Sequence, residues 1–359
     1  MVGAFRVRHR KHRFDVPALH IDSWYEIAVK ESFFHFNLFR TNAESARGRD
    51  NQFIIISPTT HCLSEFTTDH TVVGARDLGD PRKDYWNIYL KWFDYWLKGV
   101  DNDVLSMPRV QVYVMGKNQW RTGNEWPLAG TQFTKYYLRS KGSANSRMGD
   151  GSLDLKPPAN EPPDRFVYDP GTPVPSVGGQ IYANPALKIG GWDQADVEAR
   201  HDVLVYTTSP LQQGVEVTGP IELVLYASSS ARDTDFMGKL VDVYPDGTAY
   251  NVQEGMLRAR YREGLDRKVW MKPDSVYQMQ VDLQVTSNYF GPGHRIRLEV
   301  SSSNFPRFDR NLNTGGNNYD ETKWVVANNV IHHSAKYPSH VVLPVMPGGP
   351  AGGRSGGQN

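Results

Sequence analysis

Two hydrophobic periods divide the chain. In its first hundred residues, short apolar runs alternate with longer amphipathic segments. Residues 16–21 are predicted to form a strand and residues 27–40 a helix. Residues 53–56 follow as a continuous apolar run, which is typical of a parallel strand covered on both faces. The sequence therefore predicts a βαβ unit near the start of the chain.

A second amphipathic segment spans residues 85–97. Its apolar side chains recur at three-and-four spacing, which is typical of a helix packed on a sheet. They are Trp86, Tyr89, Leu90, Phe93 and Leu97. Gly99 follows and is predicted to end the helix, because glycine readily adopts the left-handed conformation found after the last turn.

After residue 108 the hydrophobic period changes to two. Val110, Val112 and Val114 alternate with other residues, which predicts a half-buried strand and places a domain boundary here. The same alternation recurs later in segments separated by turns that contain proline and glycine. These segments are residues 221–227, 257–261, 277–285 and 296–300. Many short strands of this kind predict an antiparallel β-sandwich or jelly roll.

The predicted organisation is α/β followed by all-β. Residues 1–103 form the end of an α/β sheet, residues 104–346 form the sandwich, and residues 347–359 form a disordered, glycine-rich tail. The length supports two domains, because single cores stop growing at roughly 250 to 300 residues and this chain has 359.

Charge and composition narrow the class of partner. Lys+Arg 40 against Asp+Glu 39 gives a formal net charge of +1, so no global field favours nucleic acid or anionic lipid. The chain has neither a long apolar run nor an apolar segment at its amino terminus, so no membrane partner and no secretory signal are predicted. A basic segment at residues 6–13 receives no function. We expect a soluble chain, with the cytoplasm as the favoured compartment.

The single cysteine, Cys62, excludes an internal disulfide and a thiolate-rich metal site. It follows His61 directly, and neighbouring side chains in an extended segment point to opposite faces. We therefore expect a buried structural thiol rather than a Cys–His pair.

No metal or other cofactor is predicted. His332 and His333 are adjacent, so their side chains diverge, and we expect them at the surface. Asp233, Asp235 and Asp242 lack the glycine-and-glutamate pattern of a calcium loop.

Two polar residues follow the first two predicted strands. Glu26 ends the segment Trp24-Tyr25-Glu26, and His61 ends the segment Ser57-Pro58-Thr59-Thr60-His61. Open α/β sheets place their sites at strand carboxyl ends, and a hydrolytic triad needs an acid that orients a histidine. The pair is therefore a candidate acid and base, and two ordinary surface-loop residues remain the alternative.

Long segments of the chain resemble one family. They are residues 16–26, 57–61, 240–247, 258–262 and 293–311. The family is the CocE/NonD hydrolases, which include cocaine esterase, α-amino-acid ester hydrolases, glutaryl-cephalosporin acylases and X-Pro dipeptidyl peptidases. The resemblance implies an α/β-hydrolase sheet followed by a galactose-binding-like jelly roll. It also implies that Glu26 is the triad acid and His61 the triad histidine.

Three departures from the family pattern affect what we expect of this chain. The acid is usually aspartate, whereas this chain has Glu26, with Asp22 as an alternative. The histidine motif is often Gly-Pro-Trp-x-His, whereas this chain has Ser-Pro-Thr-Thr-His. The family's nucleophile elbow, oxyanion donors and cap precede the acid strand, and only about fifteen residues precede it here. A Gly-x-Ser-x-Gly pattern occurs at residues 353–357, but no predicted strand leads to Ser355.

The resemblance implies a serine-type hydrolase of ester or amide substrates, of the acyl or X-Pro dipeptidyl kind. We expect the chain alone to lack activity, because an acid–histidine pair without a nucleophile has nothing to activate. The expected partners are a small ester, amide or peptide substrate and a complementing amino-terminal segment or a homo-oligomer. The alternative is a non-catalytic binding or interaction module built on the sandwich.

Overall fold

The computed structural model describes residues 14–180 and 187–347. The predictions for the basic segment at residues 6–13 and for Ser355 lie outside the described residues. The predicted tail lies outside them as well, except for Pro347.

A four-stranded sheet forms the first part of the fold. Its strands lie in the order β1, β2, β5 and β6, and β1, β2 and β5 run parallel while β6 is antiparallel to β5. The strands are β1 (Ala18–Tyr25), β2 (Gln52–Thr60), β5 (Val110–Val114) and β6 (Gln119–Gly123). Between β2 and β5 lies the short hairpin of β3 (Val72–Val73) and β4 (Arg76–Asp77).

The predicted βαβ unit is confirmed. The helix α1 (Val29–Asn42) connects β1 to β2, with the short helix α2 (Ala46–Asp50) before β2. The apolar run of β2 is fully buried, because Ile54, Ile55 and Ile56 are all 0% exposed. A continuous apolar run thus marks a covered parallel strand, as expected.

The interpretation of strand β5 is wrong. We expected residues 110–114 to be half-buried and to begin the sandwich, but all five are buried and Val110–Val112 pair in parallel with β2. The reason is that Gln111, between two valines, is also buried and accepts a hydrogen bond from Lys83 Nζ at 2.8 Å. A buried polar side chain with a partner mimics the alternation of a strand with one wet face.

The second predicted helix is confirmed as α3 (Tyr85–Lys98), and Gly99 ends it with a φ of 71°. The predicted packing face is wrong. Tyr85 and Trp92 are the buried residues, and Trp92 packs on Phe53 and Val104. The side chains predicted to cover the sheet are largely exposed: Trp86 68%, Leu90 59%, Phe93 54% and Leu97 75%. The helix has two apolar faces, and periodicity alone did not separate them.

A large sheet of 11 strands forms the second part of the described chain. Its path is β13-β12-β15-β10-β8-β7-β17-β11-β16-β9, and β14 pairs with β11 beside this path. The strands are β7 (Gln132–Arg139), β8 (Ser152–Asp154), β9 (Asp164–Tyr168), β10 (Leu204–Thr207), β11 (Val215–Ser229), β12 (Asp235–Val243), β13 (Ala249–Arg258), β14 (Tyr277–Phe290), β15 (Arg295–Ser301), β16 (Ala327–His332) and β17 (His340–Met346). A short helix, α4 (Ala195–Glu198), precedes β10.

The two-residue alternation is clearest in β14. Met279, Val281 and Leu283 are 0% exposed, whereas Gln278 and Gln280 face solvent. The strand predicted over residues 257–261 is wrong in its second half. Strand β13 ends at Arg258, and the 3-10 turn Ala259–Tyr261 follows, in which the buried Arg260 pairs with Asp233 at 2.6 Å.

Strand β12 packs face to face against β11 and β14. A Cβ atom on Gly238 would lie 2.5 Å from Leu223 Cδ2 and 2.8 Å from Leu283 Cδ2, so glycine is needed for this close approach. Such packing of strand faces supports a sandwich, whose jelly-roll topology stays a prediction.

Contacts divide the chain into two compact units. Of the described residues, the first contains 14–129, 176–180, 187–194 and Tyr250–Val252, and the second contains Gly130–Pro175, Ala195–Ala249 and 253–347. The first break between these units falls after residue 129, because β5 and β6 belong to the four-stranded sheet. The domain boundary at 103/104 stays a prediction. Among the described helices, none combines the length and apolar character needed to cross a membrane.

Candidate active site

The carboxyl ends of β1 and β2 bring Glu26 and His61 together. Each residue directly follows its strand, and the strands are parallel neighbours. The Glu26 Oε2 atom contacts His61 Nδ1. Sequence reasoning selected both residues from their positions after the strands, and the structure places them side by side. Their catalytic role stays a prediction.

Glu26 is buried, and it lies in the turn between β1 and α1. Its backbone N–H donates to the Ser23 carbonyl at 3.1 Å, and its Oε1 atom accepts from the Ala28 N–H at 3.3 Å, just before α1 begins. Its side chain is 9% exposed, whereas that of His61 is 44% exposed. The buried Glu26 carboxylate is therefore held by the backbone, whereas the His61 imidazole is partly exposed to solvent.

A tight turn directly follows His61. The Leu63 N–H donates to the Thr60 carbonyl at 3.2 Å, and Cys62 has a φ of 55°, in the left-handed region. Cys62 is exposed, so the expectation of a buried thiol is wrong. The strand no longer continues at this position, and the thiol turns outward instead of entering the core.

The alternative acid, Asp22, has other partners. Its Oδ1 atom accepts from the Ser23 N–H at 2.8 Å, and its Oδ2 atom accepts from the Ser32 hydroxyl. Burial raises the pKa of the Asp22 carboxyl, and these two hydrogen bonds partly offset that effect. The carboxylate that contacts the imidazole is thus that of Glu26.

A cluster of four hydroxyl groups lies beside the pair and was missed by sequence reasoning. It consists of Ser23, Ser57, Thr59 and Ser64, each 4% exposed or less. We predicted that β2 ends at residue 56, but it continues to Thr60, and Ser57, Pro58 and Thr59 are still buried. The signal available in the sequence was the polar run that follows the isoleucines directly.

A second cluster of serine, histidine and aspartate residues lies in the large sheet. His333 Nε2 is 2.8 Å from Asp164 Oδ2 and 3.1 Å from Ser140 Oγ, so acid and hydroxyl contact the same ring nitrogen. The other ring nitrogen, Nδ1, lies 3.5 Å from Glu161 Oε2, so carboxylates flank both ring nitrogens, and Ser140 is itself buried. His333 is 0% exposed, which makes its predicted surface position wrong, and the cluster is a buried structural network.

The aspartates weighed for calcium have protein partners. Asp235 pairs with Arg258 at 3.0 Å and Asp233 with Arg260 at 2.6 Å. Asp242 accepts a hydrogen bond from Asn288 and lies 2.8 Å from His294 Nδ1. Across residues 14–180 and 187–347, no group of three or more His, Cys, Asp or Glu side chains is arranged to hold a metal ion.

Comparison with known proteins identifies the family. Residues 102–342 match the model of the X-Pro dipeptidyl-peptidase C-terminal non-catalytic domain. The chain is 38% identical over 333 residues to the cocaine esterase of Rhodococcus sp. (strain MB1 Bresler), a match that covers 92% of this chain and 56% of that protein. The chain belongs to the CocE/NonD hydrolase family and contains its X-Pro dipeptidyl-peptidase C-terminal domain, as predicted.

Solved structures show the same fold. An aminopeptidase from the marine sediment archaeon Thaumarchaeota archaeon gives a TM-score of 0.79 at 24% identity, over 94% of this chain and 56% of that one. An α-amino acid ester hydrolase gives 0.77 at 24% identity, with the same coverage of both chains. The chain thus spans about half the length of the relatives that it matches.

Proposed function

We propose that this chain supplies the acid and the base of a serine-type hydrolase that cleaves ester or amide bonds. The observation that carries the proposal is the contact between Glu26 and His61 at the ends of two parallel strands. Family membership supports the same reaction class. An ester is the favoured substrate, because the relative that is 38% identical is named an esterase.

In the proposed reaction, Glu26 accepts the Nδ1 proton of His61 in a hydrogen bond and leaves Nε2 as the base. Nε2 takes the proton of a serine hydroxyl while the serine oxygen bonds to the substrate carbonyl carbon. The imidazolium then gives this proton to the leaving alcohol or amine, and an acyl-enzyme remains. Water, activated in the same way, releases the acid and restores the serine.

We also propose that the attacking serine lies on a segment outside the described residues. Between residues 14 and 347, excepting 181–186, no Gly-x-Ser-x-Gly turn joins a strand to a helix. A buried, hydrogen-bonded carboxylate beside an accessible imidazole is an arrangement that such a serine would complete.

Covalent labelling tests this proposal. The chain is expressed alone and together with the polypeptide encoded directly upstream, each is treated with a fluorophosphonate probe, and the modified residue is located by mass spectrometry. We expect labelling of a serine in the upstream segment, and its loss in His61→Ala. Labelling of a serine within residues 1–359 would show that the nucleophile lies in this chain.

A second function is favoured by one comparison. The model that matches residues 102–342 describes a non-catalytic domain, which supports a binding or interaction role for that part of the chain. If the upstream sequence were unrelated to hydrolases, and no serine reacted with the probe, the interaction module would be the better account of the whole chain.

A further inference from the structure

We propose that the four buried hydroxyl groups of Ser23, Ser57, Thr59 and Ser64 position the Glu26–His61 pair. This inference rests on the proposed function, because it assigns a task to residues that do not themselves touch substrate. We refer to these four side chains as the hydroxyl cluster.

The hydroxyl cluster is a network of neighbouring hydroxyl groups at hydrogen-bonding distance. Ser23 Oγ lies 3.1 Å from Ser57 Oγ, 2.9 Å from Thr59 Oγ1 and 3.2 Å from Ser64 Oγ. Ser57 Oγ lies 2.7 Å from Thr59 Oγ1 and 2.9 Å from Ser64 Oγ. Each hydroxyl has one proton and can accept others, so the four groups share their protons among these contacts, and each has a partner within the cluster.

The cluster joins the segments that hold the two site residues. Ser23 lies at the end of β1, and its carbonyl accepts the N–H of Glu26 at 3.1 Å. Ser57 and Thr59 lie in the last part of β2, just before His61. Ser64 lies after the turn at Cys62 and also donates to the Asp22 carbonyl at 3.4 Å. The segments before and after His61 are thereby tied to the segment before Glu26.

The backbone ladder is irregular at the same place. Residues 18–23 of β1 pair in regular register with residues 52–57 of β2, but the register shifts between Ser23 and Tyr25, where Tyr25 pairs with Thr60. Regular pairing alone therefore does not fix the position of His61 relative to Glu26. The directional hydrogen bonds of the hydroxyl cluster lie at this shift and supply the missing constraint.

Two substitutions at Thr59 separate the hydroxyl from the shape of the side chain. Thr59→Val removes the hydroxyl and keeps the branched shape, whereas Thr59→Ser keeps the hydroxyl and removes a methyl group. The readout is the solvent exchange of the His61 Nδ1 proton, followed by NMR on ¹⁵N-labelled protein. We expect about tenfold faster exchange in Thr59→Val and little change in Thr59→Ser, because one lost buried hydrogen bond shifts a local opening equilibrium by roughly that factor.

The control is Thr218→Val in the second unit. Thr218 and Ser287 form another buried hydroxyl pair, with oxygen atoms 2.7 Å apart and both residues 0% exposed. Loss of this hydroxyl should lower stability without changing the exchange of the His61 proton. Should Thr59→Val fail to fold, Ser64→Ala takes its place, since Ser64 lies in a short 3-10 turn that can adjust.

Glu26→Gln separates the two proposals. If Glu26→Gln leaves the exchange rate of the His61 Nδ1 proton unchanged, the acid–histidine pair is absent in solution and the proposed function fails. Suppose instead that Glu26→Gln accelerates exchange of the His61 Nδ1 proton, while Thr59→Val and Ser64→Ala leave its rate at the wild-type value. The contact between Glu26 and His61 is then supported, and the positioning role of the hydroxyl cluster is overturned.

Discussion

The candidate site is defined by which carboxylate contacts the imidazole of His61. Glu26 contacts Nδ1 of His61, whereas Asp22, only four residues earlier, bonds to Ser32 and to the backbone of β1. The strand ends selected Glu26 and His61 from sequence, because parallel strands place their carboxyl ends along one edge. The choice between Glu26 and Asp22 needed three-dimensional contacts, since both residues follow the strand predicted over residues 16–21.

Glu26→Gln should lower kcat of the protein assembled with its upstream segment by about 10³ to 10⁴ and leave KM nearly unchanged. The amide favours the wrong imidazole tautomer and cannot stabilise the imidazolium. Steady-state hydrolysis of a short-chain aryl ester measures the effect. Glu31→Gln, an exposed change in the first turn of α1, is the control. Equal kcat values for Glu26→Gln and Glu31→Gln would show that Glu26 does not assist His61 in the reaction.

A half-buried histidine in β1, His20, should make the protein sensitive to acid. Burial lowers the pKa of His20 from 6.5 to about 4, a shift that its hydrogen bond with Gln52 only partly offsets. Between these values the unfolded chain binds a proton that the native protein does not bind, so stability falls as the pH drops from about 6.5 towards 4. The full loss is at most about 3 kcal/mol.

Urea unfolding at pH 7 and pH 5 tests this effect. His20→Gln should reduce the difference in unfolding free energy between the two pH values, because glutamine does not titrate. His201→Gln, at an exposed position, should keep the wild-type difference. An unchanged pH dependence in His20→Gln would show that His20 is not the group responsible.

At the scale of elements, the sequence predicted which segments are helices and strands better than which faces they bury. The βαβ unit and both long helices were predicted, with ends shifted by a few residues. Strand β5 and helix α3 were assigned the wrong burial. In both cases the cause is a side chain whose partner is distant in sequence: Lys83 satisfies the buried Gln111, and Phe53 covers Trp92 rather than the more regular apolar face.

The exposed apolar face of α3 should promote self-association of the chain when it is expressed alone. Leu90 and Phe93 are more than half exposed, and contiguous exposed apolar surface favours association. The double change Leu90→Lys and Phe93→Lys should shift sedimentation towards the monomer without lowering the melting temperature. Val325→Lys, which removes an exposed apolar side chain elsewhere, should leave association unchanged. A wild-type chain that stays monomeric at the highest concentration reached would contradict this prediction.

The buried network around Asp164 should stabilise the large sheet. Asp164 accepts hydrogen bonds from Ser140, Tyr206 and the Ala144 N–H, each at 2.8–2.9 Å. Burial alone would raise the pKa of Asp164, but the bonds from His333 and these donors keep it below its usual value. Asp164→Asn should cost roughly 3 kcal/mol or more in unfolding free energy, because it removes one partner of a buried ionic network.

Chemical unfolding at neutral pH measures this cost. Asp246→Asn, at an exposed turn, is the matched control and should change stability little. A loss in Asp164→Asn no larger than that of the control would show that the network contributes no net stability.

At the scale of the whole molecule, the chain combines a four-stranded, mostly parallel sheet with a large, mostly antiparallel sheet. Family membership was recognisable from sequence, because long motifs at residues 240–247 and 293–311 lie in the domain whose model matches. The compact units were harder to predict, since residues 176–180, 187–194 and Tyr250–Val252 join the first unit from distant positions. Contacts between segments far apart in the chain do not produce a hydrophobic pattern within either segment.

Our main proposal is that His61, oriented by Glu26, is the general base of an ester or amide hydrolase. Its most direct test is the hydrolysis of a short-chain aryl ester by the chain assembled with its upstream-encoded segment, compared between wild type and His61→Ala. We expect turnover by the wild type and a loss of about 10³-fold or more in kcat for His61→Ala. Wild-type turnover in His61→Ala would contradict it.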